Sequence, residues 1–298
     1  MPTTKTSSLA WLLLVILSVI WGSSFILMFE GLKVYSSTQL AAFRICIAGV
    51  FLLPFGIYNI PQVERKDIIW FALSGLLGNF IPAFGFAYAI TYLQSSTAGA
   101  LNALTPFFTL LAGIFIFSKT FNSSKILGIL IGLGGALVLI ITKPGGQIET
   151  RLEYGIIILV STLLYGINVN IIESKLSKYN PMYIASIPLS LIFIPGLIGL
   201  FVFDFPFESF THTNNIKATL AITILGLIGT GLSLVLFNRL IQLTNGLFAS
   251  TVTYLMPVVS TLWGLYYKEP IGLIQVGSLC LILVGVLLVR MQPKNVIK

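Results

Sequence analysis

The sequence predicts an all-α integral membrane protein with ten transmembrane helices arranged as two inverted five-helix repeats. Three observations predict it. Of the 298 residues, 56% are hydrophobic and only 9% are charged, against about 25% charged in a soluble domain, so the solvent of this chain is lipid. Apolar runs of about 18–22 residues recur along it, long enough to cross a bilayer as helices. The sequence also repeats itself. Ala100 to Pro106 (Ala-Leu-Asn-Ala-Leu-Thr-Pro) reads beside Ser250 to Pro257 (Ser-Thr-Val-Thr-Tyr-Leu-Met-Pro), with the prolines 151 positions apart, and Trp21-Gly22 reads beside Tyr165-Gly166, 144 apart. Duplicated spans are the pattern of secondary transporters.

The first span, 9–28, follows Lys5 as a signal peptide would, but the apolar run continues through Trp21 to Phe29 without a small-x-small cleavage site, so it is expected to be retained. The second, 38–59, contains Arg44, and the third is 68–90. The fourth, 96–117, is entered through a small-residue hinge (Gln94 to Gly99), carries Pro106 and ends at Ser118-Lys119-Thr120. The glycine-rich fifth, 125–142, completes a first repeat over 9–142. The second repeat, 153–290, holds spans 153–172, 182–203, 216–238, 247–267 and 272–290. Its fourth span is again entered through a polar hinge (Thr244 to Ser250), carries Pro257 and ends at Lys268-Glu269-Pro270. A spanning helix satisfies its own backbone, which accounts for helices in a chain rich in Ile, Val and Phe. A barrel would need alternating polarity, and the run 126–141 does not alternate.

The net charge is +8, with no aromatic-basic cluster on a soluble domain, so the excess reads as cytoplasmic loop charge and not as a nucleic-acid surface. With the N-terminus inside, eleven of the 17 basic residues fall on the cytoplasmic side, and five (Lys33, Lys143, Arg151, Lys217, Lys268) fall outside. Arg44 remains within a span. Both termini are therefore expected in the cytoplasm of a cell (inner) membrane. Because five is odd, the second repeat enters from the opposite side, and the halves become inverted repeats. Such halves can exchange an inward-open and an outward-open conformation.

Arg44 lies about six residues into its span, roughly 9 Å of helix. A charge there costs several kcal/mol unless it is paired, hydrated or snorkelling. It is read either as a cavity residue facing an anionic substrate group or as a side chain reaching the outer headgroups. The polar mid-span residues Ser23, Ser24, Asn79, Tyr88, Asn102, Tyr165, Asn168, Asn170, Ser233, Asn238 and Tyr254 are candidates for a cavity wall or for hydrogen bonds between helices. Asn168 and Asn170 point about 200° apart on a helix, so at least one faces a neighbouring helix. Trp21 and Tyr165, equivalent in the repeat, are read as cavity-wall aromatics. Pro106 and Pro257 break helical hydrogen bonds at matching places, as hinges or as static kinks. The span glycines Gly75, Gly78, Gly113, Gly128, Gly132, Gly134, Gly135, Gly277 and Gly285 are expected at close helix contacts.

The two cysteines, Cys46 and Cys280, lie in apolar spans and read as packing residues. The single histidine, His212, sits in a polar loop. No metal-ligand set, cofactor motif or Walker A sequence is present, and an integral-membrane enzyme would need titratable groups clustered at one depth. All nine acids fall in loops or at span ends, with Glu30 and Glu173 nearest the membrane interior. Proton coupling, if present, is therefore expected not to run through a mid-membrane carboxylate.

Trp21-Gly22-Ser23-Ser24-Phe25, Arg44 after a short loop, the small-residue hinge before Pro106, and Lys268-Glu269-Pro270 before a glycine-rich last span resemble the EamA-type permeases of the drug/metabolite transporter superfamily. The resemblance covers nearly the whole chain. It implies ten helices in two inverted halves around a central cavity, and export or exchange of small metabolites, amino acids among them. The first repeat departs from the pattern, with Ser118-Lys119-Thr120 where the family often has an acidic break. The expected partners are a small-molecule substrate and the bilayer, the protein acting as monomer or homodimer. With Arg44 the single charge well inside a span, amino-acid-like or anionic solutes are favoured. The alternatives are a multidrug or cationic-compound exporter and a non-transporting membrane scaffold. Arg44 aligns with Pro188 and Ser118 with Glu269, and substrate choice is expected where the halves differ.

Overall fold

The computed structural model describes residues 8–93, 95–141, 152–210, 212–266 and 272–290. Every regular element among them is helical. The polar break Lys268-Glu269-Pro270 and both termini lie outside the described residues.

Helix α1 (Ser8–Gly31) leads through a short turn to α2 (Ser37–Asn59), which starts at a capping box: Ser36 Oγ accepts from the Gln39 N–H, and Gln39 reaches back to the Ser36 N–H. α3 (Ile68–Gly75), a π-helical turn (Leu76–Phe80) and α4 (Ile81–Tyr92) run on as one stretch. α5 (Ser95–Asn102) and α6 (Thr105–Phe115) are separated by a break at 103–104, and α7 (Ser123–Ile141) follows. The second half repeats this order. α8 (Leu152–Ile171) ends in a π turn (Ile172–Leu176), and α9 (Pro181–Val202) stays helical across Pro188 and Pro195. α10 (Ile216–Gly226), a π turn (Leu227–Leu232) and α11 (Ser233–Leu243) form one stretch. α12 (Gly246–Ser250), α13 (Val252–Tyr266) and α14 (Leu273–Arg290) complete the chain.

Among the described residues, six helical stretches are long and apolar enough to cross a membrane: 8–31, 37–62, 65–92, 153–176, 181–202 and 213–243. The apolar helices at Thr105–Phe115, Ser123–Gly135, Gly246–Val259 and Val276–Val289 are shorter. The outward faces of the helices carry large apolar side chains, as at Leu12 of α1, Ile194 and Phe201 of α9 and Leu273 of α14, which suits a lipid solvent.

Corresponding helices of the two halves pack antiparallel. Along α2, Ala42, Ile45, Gly49 and Gly56 meet Gly199, Gly196, Phe193 and Ser190 of α9, so one chain number rises as the other falls. Gln39 Nε2 donates to the carbonyls of Phe203 (2.9 Å) and Asp204 (3.0 Å). In α7 and α14 the backbones themselves touch. Gly128 lies against Gly285 and Val289, Gly132 against Gly285, and Gly135 against Ser278 and Ile282. Packing between halves is reciprocal too: α1 lies on α13 and α8 on α6, while α1 lies on α10 and α8 on α4.

α9 ends in a Schellman motif. Asp204 takes the left-handed conformation (φ 48°), with Phe205 N–H to Leu200 C=O at 2.9 Å and Asp204 N–H to Phe201 C=O at 3.3 Å. The turn seats Phe205 between Tyr35 and Phe43, at ring distances of 5.1 and 4.9 Å.

Ion pairs tie both ends. Glu30 holds Lys33 (2.8 Å) and Lys217 (3.1 Å) where α1 meets α10. At the other end of α2, Lys178 pairs with Glu64 and with Asp67 (2.7 Å), while Tyr179 Oη donates to Asp67 (2.7 Å). The hydrogen bond from Lys178 holds the Glu64 carboxyl below its ordinary value, and the bonds to Asp67 and Glu64 raise the Lys178 ammonium. The lowered Glu64 contributes stability that is complete above its unfolded value of about 4.3 and lost as pH falls through the folded one. The raised Lys178 contributes below about 10.4, lost as pH rises through its folded value. Lys178→Met is therefore expected to lower the melting temperature by a constant, small amount between about pH 5 and 9. The gap to the parent should narrow as pH falls through the lowered carboxyl values; a gap that stays constant all the way down to acid unfolding would refute the pairing.

Candidate functional site

A cavity of about 110 Å³ lies between the two main apolar clusters of the core. Phe25, Met28, Phe86 and Met256 close it from one cluster, and Ile184 and Phe237 from the other. Val169 and Ile172 belong to the second cluster as well.

The wall is built in pairs. At the offset of 144 that relates the two first spans, Trp21 pairs with Tyr165, Ser24 with Asn168, Phe25 with Val169 and Met28 with Ile172, and all eight line the cavity. At the offset of 151 that relates the later spans, Gly78 pairs with Gly229, Asn79 with Thr230, Phe86 with Phe237, Asn102 with Thr253 and Thr105 with Met256, again all in the wall.

Two of the π turns, 76–80 and 227–232, also stand 151 apart and carry the Gly-Asn and Gly-Thr pairs. A π turn widens the helix and leaves carbonyls short of their usual partners. Thr230 Oγ1 donates to Leu225 C=O, five residues back, at 3.1 Å, and Ser233 Oγ donates to Gly229 C=O at 2.7 Å.

The second-half π turn is fastened to the first half. Trp21 Nε1 donates to Gly229 C=O (3.0 Å) and Ser233 Oγ (2.9 Å), and Arg44 Nε donates to Thr230 Oγ1 (2.7 Å). Arg44 thus turns into the cavity. The first-half π turn meets no matching bond from Tyr165 or Asn168 among the described residues; Tyr165 instead stacks on Phe86 at 5.8 Å. Asn102 Nδ2 donates to the Met256 sulfur (3.4 Å). The Oδ1 atoms of Asn168 and Asn238 are buried and have no hydrogen-bond partner among the described residues.

Of the expected wall residues, Trp21, Ser24, Arg44, Asn79, Asn102, Tyr165, Asn168 and Asn238 come together here. Tyr88 and Tyr254 do not. Tyr88 is two residues from the wall residue Phe86, hence about 200° around the helix. It is 43% exposed and packs on Tyr92 and Tyr154. Tyr254 points at α7, where Gly132 leaves room for its ring and its hydroxyl donates to Ile129 C=O at 3.0 Å. Ser23 accepts from Trp263 Nε1 (2.9 Å), and Asn170 donates to Thr109 and Gly166 carbonyls (both 2.9 Å), so these two bind helices and not the cavity.

The prolines are not equivalent either. Pro106 sits in the first turn of α6, just after the break, where a missing N–H costs nothing. Pro257 lies inside α13. The shared feature is the interruption itself, at 103–104 in one half and at 251 in the other. Thr105, Thr230 and Thr253 also line the cavity, beyond the Ser, Asn and Tyr residues that the sequence singles out. The offset of 151 from Asn79 and Asn102 would have found Thr230 and Thr253.

The model of the EamA-like transporter family matches residues 8–141 and again 154–291. An uncharacterized transporter of Archaeoglobus fulgidus is 26% identical over 94% of this chain and 98% of its own. The uncharacterized inner membrane transporter YedA of Escherichia coli is 24% identical over 83% of this chain and 79% of its own. A probable terminal-alkyne amino-acid exporter of Streptantibioticus cattleyicolor is 23% identical over 91% and 90%. A crystal structure shares the fold with a TM-score of 0.72 at 16% identity, over 94% of this chain and 96% of that one.

Proposed function

This chain belongs to the EamA-like transporter family, and from that premise we propose that it exports or exchanges small amino-acid-like or anionic metabolites by alternating access. It is a multi-pass membrane transporter and not an enzyme. The finer reading has ten spans in two inverted halves, with both termini in the cytoplasm of an inner membrane. The antiparallel packing of α2 on α9 and of α7 on α14 supports the inversion. The interruptions at 103–104 and 251 are the places where each half would flex.

The single observation that carries the substrate class is the wall itself. It contains Arg44 and polar uncharged groups but no Asp, Glu or Lys. A lipophilic cation would meet the guanidinium with no carboxylate to balance it. A non-transporting scaffold has no need of a polar cavity at its centre. The relative named as an amino-acid exporter agrees with this preference.

Uptake by everted vesicles or proteoliposomes, against a panel of amino acids and cationic dyes, tests the reading; dye movement without amino-acid movement rejects it. The acids nearest the membrane interior serve as ion-pair partners, Glu30 with Lys33 and Lys217, and Glu173 with Lys119 (2.8 Å). Glu30→Gln and Glu173→Gln are therefore expected to transport with an unchanged pH dependence. Loss of proton coupling in either variant would show that a carboxylate relay exists.

A further inference from the structure

We infer that the Lys119–Glu173 ion pair is a latch: the short helix α12 seats on it through Gly246 and so closes the cavity at the end of the molecule where α1 begins and α14 ends. This rests on the transporter reading and adds a gate at one mouth of the cavity, the cytoplasmic mouth in the orientation proposed above.

The pair joins the two repeats. α6 ends at Phe115, and the chain then turns back through Ser118 in the left-handed conformation (φ 51°). Lys119 N–H donates to Gly113 C=O at 2.8 Å, and the Lys119 ammonium donates to Glu173 Oε2 at 2.8 Å. Glu173 stands one residue past the wall residue Ile172, in the π turn that follows α8. The Lys119 and Glu173 side chains are 22% and 31% exposed. They lie between the cavity and water, where a charge-assisted bond is screened less than on an open surface. The two partners are also held together by their helices. Gly166 of α8 lies against the Phe108–Thr109 backbone of α6, and Asn170 donates to Thr109 C=O at 2.9 Å. The pair therefore offers α12 a fixed seat.

α12 is set off from its neighbours. It is five residues long, with an interruption at 244–245 before it and another at 251 after it. A short piece between two breaks can shift as a unit. Its cap is local, with Asn245 Oδ1 accepting from Phe248 N–H at 2.9 Å. All five residues are buried. One end lines the cavity at Ser250. The other end touches the latch: a Cβ on Gly246 would stand 2.7 Å from both Glu173 Oε2 and Val169 Cγ1. Phe248 meets Trp11, near the start of α1, edge to face at 5.5 Å. α12 thus fills the space between the cavity and this end of the bundle, held by α1 on one side and by Glu173 on the other.

The test is sided labelling of a cysteine in the cavity wall, with the full-length protein in membrane vesicles. The reporter is Ser74→Cys, a buried wall residue of α3, with Cys46→Ala and Cys280→Ala as background. A C-terminal epitope marks the face of the latch, and a membrane-impermeant thiosulfonate is applied to each face in turn. Glu173→Gln and Lys119→Gln are each expected to speed labelling from the epitope face by about fivefold to tenfold, with no rise from the opposite face. Gly246→Ala should do the same, because its methyl group unseats α12 while leaving both charges in place. The apolar contacts of α12 remain in these variants, so transport continues while the mouth opens more often. Lys119→Glu combined with Glu173→Lys should restore most of the slow parental labelling, which a general loosening of the fold would not do. Equal rises from both faces, unchanged rates in the three single variants, or no recovery in the reversed pair overturns the latch. The labelling needs no substrate. Unchanged labelling in vesicles that carry solutes therefore overturns the latch and leaves the transporter reading standing. The expected labelling pattern without flux of any solute does the reverse.

Discussion

Gly285→Leu is expected to push α7 and α14 apart and to lower thermal stability more than any single change in the cavity wall. A Cβ at this position would stand 2.5 Å from Gly132 N and 2.6 Å from Gly132 Cα. Overpacking costs about 1–3 kcal/mol where side chains can yield. Here the obstacle is backbone on both sides, so the upper end, about 3 kcal/mol, is expected. At about 2–4 °C per kcal/mol the melting temperature should fall by roughly 6–12 °C. Gly277→Ala on the same helix is the control, because a Cβ there has nothing within 4 Å. A melting temperature that falls equally in both variants, or in neither, would show that this helix pair is not held by its glycines.

Gly78→Ala is expected to cost more than Gly229→Ala, although the two positions are equivalent in the repeat. A Cβ on Gly78 would run into the Asn168 amide. A Cβ on Gly229 would meet Ser24 Oγ and Leu225 Cδ1 at 3.1 Å, which need yield only a few tenths of an ångström. The difference comes from the facing residues, an asparagine in one half and a serine in the other. Gly78→Ala should therefore destabilise by about 1–3 kcal/mol and reduce transport about tenfold. Adding Asn168→Ser, which makes the first-half contact resemble the second, should restore stability, with a coupling of about 1–2 kcal/mol between the two positions. Additive melting shifts in the double variant would mean that the two residues do not touch in solution.

The duplication made much of this legible. Trp21 and Tyr165, 144 apart, and Asn79, 151 before Thr230, are wall residues because the same local sequence folds the same way twice. Arg44 stood out because a charge within an apolar run is costly unless something receives it. Which way it turned was open from the chain alone, since its depth allowed it to reach the headgroups. Thr230, 186 residues away, supplies the acceptor that turns it inward.

Rotation about the helix axis defeated the other readings. Tyr88 and Phe86 share a span, yet only Phe86 meets the cavity. Tyr254 and Thr253 are adjacent, yet Tyr254 fills the space above Gly132 while Thr253 lines the wall. Depth along a helix follows from counting residues at 1.5 Å each, but the face that looks inward depends on the neighbour. The prolines show the same limit. Pro106 and Pro257 match in sequence, but one sits in the first turn after its break and the other well inside the helix that follows the break.

What the sequence determined by itself was everything that depends on composition and order: a lipid solvent, helices as its consequence, the doubled unit, and spans nearly free of charge with one cation, Arg44, inside them. These follow from the transfer of residues out of water and from spacing along one chain. What only the tertiary structure decided was which side chains share a space. The π turns at 76–80 and 227–232, the fastening of one of them by Trp21 and Arg44, and the unpaired oxygens of Asn168 and Asn238 arise from contacts between residues far apart in the chain. Those contacts are set by helix rotation and backbone approach, which a one-dimensional pattern of apolar residues, all facing either lipid or one another, does not encode.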